Sequence, residues 1–182
     1  MMKRPFQIAM LAGLCLALAA CGFRPLYGRY SGNPAAAAMF ESTYVEPVPD
    51  RVGYELRNTM IDLLRAKGSA DGARYHLKLT FRELQIPIAV QNVLVGTLQE
   101  TITTRYNYRL TVNYELTAVV GNASITKGSE DALASYNVTA DASGMYSTQT
   151  AYLEAQTDAA RDIATRLRTD LAVFLDTHPA VR

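Results

Sequence analysis

The 182-residue sequence contains no tryptophan, two histidines and two cysteines. Two histidines, His76 and His178, are too few for a histidine-based metal site, and we expect both to be solvated surface residues. No G-x-S-x-G nucleophile elbow and no glycine-rich phosphate loop is present. No histidine or cysteine accompanies a candidate nucleophile either, so the sequence predicts no catalytic residue, no metal and no cofactor.

Charge is also scarce, at 19% of residues, with a formal net charge of +1. Removing the first 20 residues takes away Lys3 and Arg4 and leaves a net charge near −1. A nearly neutral body lacks the electrostatic footprint of a DNA- or RNA-binding protein, so no nucleic-acid partner is expected. The hydrophobic content of 49% is too high for a disordered chain and typical of a globular one.

One long apolar run stands at the N-terminus, from residue 8 to residue 20, directly after Lys3 and Arg4. This layout is typical of a secretory signal peptide over residues 1–20, because a basic segment precedes an apolar stretch that ends in small residues. The run is shorter than the ~20 apolar residues needed to span a bilayer. Its basic flank favours export over the alternative, a buried core helix.

The run ends in Leu18-Ala19-Ala20-Cys21, which resembles the bacterial lipobox. The resemblance implies cleavage before Cys21, a diacylglycerol thioether on its sulfur and acylation of the new N-terminus by a fatty acid such as palmitate. Gly22 in the second mature position favours the outer membrane. Cys15 leaves with the signal peptide, so the mature chain has no disulfide and no cysteine-based metal site.

The sequence divides the mature chain into three segments. Residues 21–40 are the lipidated N-terminus and a tether rich in Gly, Pro and Ala, with a helical turn at 36–40 as an open alternative. Residues 41–177 form a single α+β domain, and residues 178–182 are a tail.

Periodicity predicts the elements of this domain. Residues 42–48 indicate a short strand, and residues 51–66 a helix with Asp50 as N-cap and Gly68 as its stop. Strict alternation from residue 75 predicts a strand in which Pro87 marks an edge, a bulge or an end. The stretch QNVLVGT, residues 91–97, is interpreted as a connection.

The longest alternation of apolar and polar residues covers residues 100–120 and predicts a long antiparallel strand. A two-residue Gly121-Asn122 hairpin turn is predicted to follow it. The return strand covers roughly 123–139, with a bulge or interruption expected at Gly128 and residues 129–131. The pattern breaks over 141–148, and a long amphipathic helix follows from about residue 149 to 176. This order predicts a two-layer sandwich of two helices on a mostly antiparallel, mixed four-stranded sheet.

The polar face of the predicted sheet contains four cations: Lys78 and Arg82 on one strand, Arg105 and Arg109 on another. Two interpretations stay open. The first is an ordinary solvated face with cross-strand pairs such as Arg82–Glu115. The second is a cationic surface for an anionic ligand, for which a phosphorylated glycolipid head group is the obvious candidate in an outer-membrane protein.

The octet that begins at Cys21, CGFRPLYG, resembles the start of the LPS-assembly lipoproteins of alphaproteobacteria, the LptE family. The later stretches TTRYNYRLTVNYEL, SYNVTADASGMYST and DAARDIATRLRTDLAVFL resemble the same family, so the likeness covers residues 1–176. Only the lipid anchor at Cys21 transfers residue by residue. The four cations come from alternation alone, and no physical role follows for Phe23, Arg24, Pro25 and Tyr27.

The resemblance implies a non-enzymatic, periplasm-facing lipoprotein of the cell outer membrane, with two helices on a four-stranded sheet. It further implies a position within the lumen of the lipopolysaccharide-translocating β-barrel, as plug and assembly factor, and binding of lipopolysaccharide during its delivery to the outer leaflet. The expected partners are therefore the barrel, lipopolysaccharide and, through the anchor, the membrane. The rival interpretations are a general scaffolding lipoprotein and a lipid-anchored envelope hydrolase.

Overall fold

The computed structural model describes residues 34–139 and 144–178. These form, in chain order, α1 (Pro34–Glu41), β1 (Thr43–Val45), α2 (Asp50–Leu64), β2 (Tyr75–Val95), β3 (Leu98–Ala118), a 3₁₀ turn (Val120–Asn122), β4 (Ser124–Asn137) and α3 (Gly144–Thr177). The predicted signal peptide, the anchor at Cys21, the tether up to residue 33 and the tail from residue 179 lie outside the described residues.

The sheet has the order β1-β2-β3-β4, with β1 parallel to β2 and the other neighbours antiparallel. Leucines from alternate positions of β2 and β3 pack with buried residues of α2 and α3 in one hydrophobic core. One face of a mixed sheet is therefore covered by helices, which confirms the predicted two-layer α+β fold. The short α1 adds a third helix to the two that the periodicity predicts.

Helix α1 begins at Pro34, inside the segment that the sequence analysis counts as tether. Ala36, Met39 and Phe40 are buried in the core. The Thr43 hydroxyl, itself buried, donates to the Met39 carbonyl at 2.8 Å and ties the end of α1 to β1. The packed domain therefore includes residues from the alanine-rich segment that composition alone assigns to the tether.

Helix α2 confirms the predicted helix, but both of its predicted ends are wrong. Its N-cap is Pro49, without a side-chain hydrogen bond, and Asp50 is already inside the helix. At the other end Arg65, with φ of 53°, takes the left-handed position expected of glycine. The Ala66 amide donates to the Ile61 carbonyl at 3.0 Å, so the helix is capped three residues before Gly68.

Strands β2 and β3 form one long hairpin of 21 residues each. The stretch predicted as a connection is mostly strand: pairing runs to Val95 opposite Leu98, and Gly96, with φ of 66°, forms the turn with Thr97. Pro87 neither ends the strand nor stops the pairing. The register shifts between Pro87 and Val90 instead, so the bulge is the correct one of the three predicted alternatives.

The turn between β3 and β4 lies where the sequence predicts it, at Gly121 and Asn122, although the 3₁₀ turn makes the loop longer than two residues. The bulge predicted at Gly128 is wrong, since pairing from Thr111 opposite Asp131 to Leu116 opposite Thr126 is regular. Gly128 is needed for packing instead: a Cβ there would lie 2.6 Å from the Tyr114 hydroxyl oxygen. The Tyr114 ring covers the glycine backbone.

Helix α3 has 34 residues, about 50 Å at 1.5 Å per residue. It begins at Gly144, five residues before the periodic pattern predicts, and ends one residue later than predicted. Its buried stripe includes Ile163, Leu167, Leu171 and Leu175. The expected i,i+4 pair is present, with Arg166 Nη2 2.6 Å from Asp162 Oδ2. No helix among the described residues is long and apolar enough to cross a membrane.

Candidate functional site

The outer face is the side of the sheet turned away from α2 and α3. It is formed by the residues of β2, β3 and β4 that alternate with the core positions, and its side chains are exposed or half-buried. Because directly opposite residues of antiparallel strands share a face, the register defines rows of three side chains across it. These rows decide where each of the four predicted cations lies.

Lys78 lies in a row with Glu115 and Lys127. The row borders a depression of about 530 Å³ that Thr80, Asn113 and Ser129 also line. The predicted pair Arg82–Glu115 is wrong, because the register places Glu115 opposite Lys78, four residues earlier on β2. Lys127 is a cation that the sequence reasoning missed. Lys127 alternates along β4 with Ser129 and Asp131, which indicates that the three share a face. Only the register between β3 and β4 shows that Lys127 lies in the row of Lys78.

Arg82 lies two rows further along, beside Thr111 and Asp131. The Thr111 hydroxyl donates to Asp131 Oδ1 at 2.9 Å, and Asp131 Oδ2 lies 3.9 Å from Arg109 Nε. Both partners of this ion pair are more than 40% exposed, so solvent screens it and it contributes little to stability. The carboxylate orients the guanidinium without neutralising a buried charge.

Arg109 lies between Leu84 of β2 and Leu133 of β4. The two leucines are 51% and 52% exposed, and the described residues bring no helix or strand over them. Arg109 Nε is buried yet has no hydrogen-bond partner within the described part of the chain. A cation flanked by open apolar side chains is a surface that suits an amphiphile, with an anionic group on the guanidinium and hydrocarbon on the leucines.

The structure brings only two of the four predicted cations together. Arg82 and Arg109 are diagonal neighbours in adjacent rows of β2 and β3. Lys78 precedes Arg82 by four residues, about 14 Å along the strand, and Arg105 precedes Arg109 by the same distance. The cations therefore form a line across the outer face, with Lys78 and Arg105 at its ends and Arg82 and Arg109 in its middle.

A second polar group lies on the inner face, and the sequence analysis missed it. Glu83 Oε2 accepts hydrogen bonds from the Tyr108 hydroxyl at 2.8 Å and from Gln156 Nε2 at 2.9 Å. Gln156 Oε1 in turn accepts from Arg51 Nη1 at 3.2 Å. This network joins β2, β3, α2 and α3. The sequence contained a signal for it: Glu83 is an even number of residues from the core positions Leu77 and Leu79, so its side chain lies on the same face of β2.

Burial dominates the electrostatics of this inner group. It raises the pKa of Tyr108, which is fully buried, and the neighbouring Glu83 carboxylate raises that pKa further. Burial likewise raises the pKa values of Tyr136 and Tyr152, whose rings lie 5.5 Å apart. The tyrosines therefore stay neutral at physiological pH. The Tyr108 and Tyr136 hydroxyls donate to Glu83 and Gln85 of β2, and the ring of Tyr152 on α3 packs against both tyrosine rings.

Neither histidine is part of the line of cations, although His76 lies on β2 two residues before Lys78. His76 Nδ1 is 3.6 Å from Glu46 Oε1, with about a third of its side chain exposed. His178 is exposed and stacks on Phe174, with ring centroids 4.3 Å apart. In residues 34–139 and 144–178, no group of histidine, cysteine and carboxylate side chains is arranged to hold a metal ion.

The fold has counterparts among solved structures. A putative lipoprotein from Caulobacter crescentus CB15 superposes with a TM-score of 0.61 at 22% identity, over 80% of this chain and 98% of that one. A minor lipoprotein from Acinetobacter baumannii gives a TM-score of 0.49 at 17% identity, over 73% and 92% of the two chains. The rare lipoprotein B from Shewanella oneidensis gives 0.48 at 14% identity, over 74% and 96%. The first of these likenesses establishes a shared fold.

The sequence itself assigns the family. The profile of LptE, described as lipopolysaccharide-assembly, matches residues 40–171 and so most of the chain. The protein belongs to the LptE lipopolysaccharide-assembly family. The comparison with curated proteins finds no match.

Proposed function

We propose that the protein is a non-enzymatic lipoprotein anchored to the outer membrane through Cys21, which plugs the lipopolysaccharide-translocating β-barrel, assists its assembly and binds lipopolysaccharide. Membership of the LptE family over residues 40–171 supports a role in lipopolysaccharide assembly. The anchor, the barrel and the bound lipid are the finer parts of the proposal. They extend the family assignment to particular residues of this chain.

The observation that supports lipid binding most directly is the row Leu84–Arg109–Leu133 with Arg82 beside it. Lipopolysaccharide joins phosphate groups to acyl chains. A guanidinium binds phosphate with paired, charge-assisted hydrogen bonds, and the half-exposed leucines are able to bury methylene groups. Lys78 and Arg105 then extend the cationic line in both directions for a ligand with several anionic groups.

The outer face also suits the inside of an outer-membrane barrel. Barrel lumens of this kind are polar, and the outer face presents Lys, Arg, Thr, Asn and Ser side chains across three strands. An apolar outer face would be poorly solvated in such a polar lumen. On the inner face, in contrast, the apolar side chains are buried against α2 and α3.

Charge reversal tests the lipid-binding part. We expect Arg109→Glu in the full-length protein to weaken lipopolysaccharide binding about tenfold or more, because it replaces an attraction to phosphate by a repulsion. Lys67→Glu, at an exposed position outside the sheet, changes the net charge equally and should leave binding nearly unchanged. Equal binding by the Arg109→Glu variant and the unaltered protein would show that the outer face is not the lipid site.

Co-purification from outer membranes tests the plug. The tagged full-length protein should recover one large β-barrel subunit in constant proportion, and a Cys21→Ala variant should lose its membrane association. A scaffolding lipoprotein would be recovered without the barrel, and a lipid-anchored hydrolase would turn over ester, glycoside or peptide substrates.

A further inference from the structure

The distal ribbon is the part of the β2–β3 hairpin that extends beyond the end of β4, residues 89–104. Strand β4 ends at Asn137, opposite Arg105, and β1 pairs only with residues 75–77 of β2. The described residues therefore place no strand on either side of the ribbon. Glu100 is the only charged residue in it, and Val90, Leu94 and Leu98 are 63%, 79% and 68% exposed.

Natural proteins protect such open strand edges with proline, charge or bulges, because unpaired N–H and C=O groups accept a further strand. The two edges of the ribbon differ in this respect. The β2 edge follows Pro87 and a bulge between Pro87 and Val90, which bend it and interrupt its hydrogen-bonding row. On β3 the corresponding register shift lies at Thr104, which has no directly opposite residue on β2. Residues 98–103 beyond it contain no proline and pair regularly, and Thr101, Ile102 and Thr103 are strong strand formers.

The direction of the free backbone groups follows from the turn of the hairpin. Val95 and Leu98 are directly opposite across the two-residue turn at Gly96 and Thr97, so the Leu98 N–H and C=O point to β2. Within a strand, the N–H and C=O of one residue point to the same side and alternate along the chain. Gln99 and Thr101 therefore point their N–H and C=O groups to the vacant side, the side that β4 occupies further along the strand.

From this geometry we propose that residues 98–103 of β3 bind an extended segment of a partner polypeptide, which adds a strand to the sheet in line with β4. The proposal rests on the proposed function for the identity of the partner, the barrel subunit. A closed barrel wall has no free edge. The added strand must come from a loop or another extended segment of that subunit.

The chemistry of the ribbon favours a polypeptide over a lipid surface or a charged ligand. The Gln, Asn and Thr side chains and the free amides need hydrogen-bond partners, which hydrocarbon does not supply. The single charge offers no binding site for phosphate. Main-chain hydrogen bonds provide affinity for a strand of almost any sequence, and Leu98 and Ile102 on one face provide apolar contacts.

Two matched proline variants test the edge. Thr101→Pro removes an N–H on the vacant side, whereas Asn92→Pro, at the residue directly opposite, removes an N–H that points to the β2 edge. We expect Thr101→Pro in the full-length protein to recover the co-expressed barrel subunit about tenfold less efficiently, and Asn92→Pro to recover it normally. Thr101→Val, which keeps the backbone amide, controls for the side chain and should also be normal.

The outcomes separate this proposal from the proposed function. Normal recovery with Thr101→Pro overturns the strand addition and leaves the plug intact. If the unaltered protein recovers no barrel, the proposed function fails and the strand addition fails with it. Equal losses in both proline variants mean that the ribbon only requires its hairpin shape, which also overturns the proposal.

Amide hydrogen exchange gives a readout that does not depend on variants. The amides of Gln99 and Thr101 should exchange rapidly in the isolated full-length protein and become protected in the complex with the barrel subunit. Protection in the isolated protein would mean that another segment of this chain, or a second copy, already covers the edge, which overturns the proposal. Unchanged rapid exchange in the complex would equally contradict strand addition.

Discussion

The first half of β2 and the distal ribbon belong to the same pair of strands, yet they meet different surroundings. Near residue 77 the alternating leucines are covered by α2 and α3, and Leu77, Leu110 and Leu116 are at most 1% exposed. In the ribbon the pairing of the two strands continues, but Leu94 is 79% exposed. Strand pairing therefore extends beyond the part of the sheet that a second layer covers.

The difference has a physical origin in length. Two strands of 21 residues extend about 70 Å, whereas the longest helix, α3, extends about 50 Å. The remainder of the hairpin has backbone pairing but little burial. Its stability comes from the turn and the ladder, and that of the packed part from the core.

The largest expected contrast is between two leucine truncations. Leu110→Ala, in the packed part, should lower the free energy of unfolding by about 2–5 kcal/mol, because it leaves a cavity in a fully buried position. Leu94→Ala, in the ribbon, should change it by less than about 0.5 kcal/mol. Chemical denaturation of both variants measures the contrast, and a comparable loss in the two would show that the ribbon is packed.

A smaller effect is expected where Tyr114 covers Gly128. Gly128→Ala should cost about 1–3 kcal/mol, because the new methyl group would clash with the tyrosine ring. Gly68→Ala is the matched control: nothing lies within 4 Å of its Cβ position, so it should be neutral in the same unfolding measurement. A neutral Gly128→Ala variant would mean that the ring is free to move aside.

Tyr108→Phe tests the inner polar network. Removing the buried hydroxyl that donates to Glu83 should cost about 1 kcal/mol. Tyr54→Phe, at a tyrosine that is 64% exposed on α2, should cost almost nothing. Thermal unfolding of the two variants compares them, and an equal shift in melting temperature would assign no stabilising role to the network.

The smallest effect concerns pH. Burial and the neighbouring Asp170 carboxylate raise the pKa of Glu130 above its ordinary 4.5. A folded-state pKa above the unfolded value gives stability that is complete below pH 4.5 and is lost as pH rises through the folded pKa. Glu130→Gln should therefore be slightly more stable than the unaltered protein at neutral pH, and the advantage should disappear in acid. Denaturation midpoints at pH 7 and pH 4 check the sign.

Periodicity predicted most of the fold. The helices α2 and α3 and the strands β1 to β4 follow from positions of apolar residues at spacings of 3.6 and 2. The mixed sheet follows from the strand-helix-strand order at the start of the domain. Errors concentrate at ends and turns: Asp50, Gly68 and the connection at 91–97. Helix ends depend on single backbone conformations, such as the left-handed Arg65, which contacts elsewhere impose on a residue with no such preference.

The candidate site was predicted in its residues but not in its arrangement. Alternation correctly assigned Lys78, Arg82, Arg105 and Arg109 to one face. It did not decide that Arg82 adjoins Arg109, that Lys127 completes the row of Lys78, or that Glu83 turns inward to Tyr108. Each of these depends on register, which a shift of one residue would alter completely.

The order of the elements and the face on which the residues of a strand lie follow from local periodicity, and the class of protein follows from the family resemblance of the sequence. Which side chains are neighbours, and where the long hairpin extends beyond the covering helices, depend on pairing between residues far apart in the chain. These properties are visible in the folded molecule and not in the sequence. The row Leu84–Arg109–Leu133 and the open edge of β3 exist only at that level.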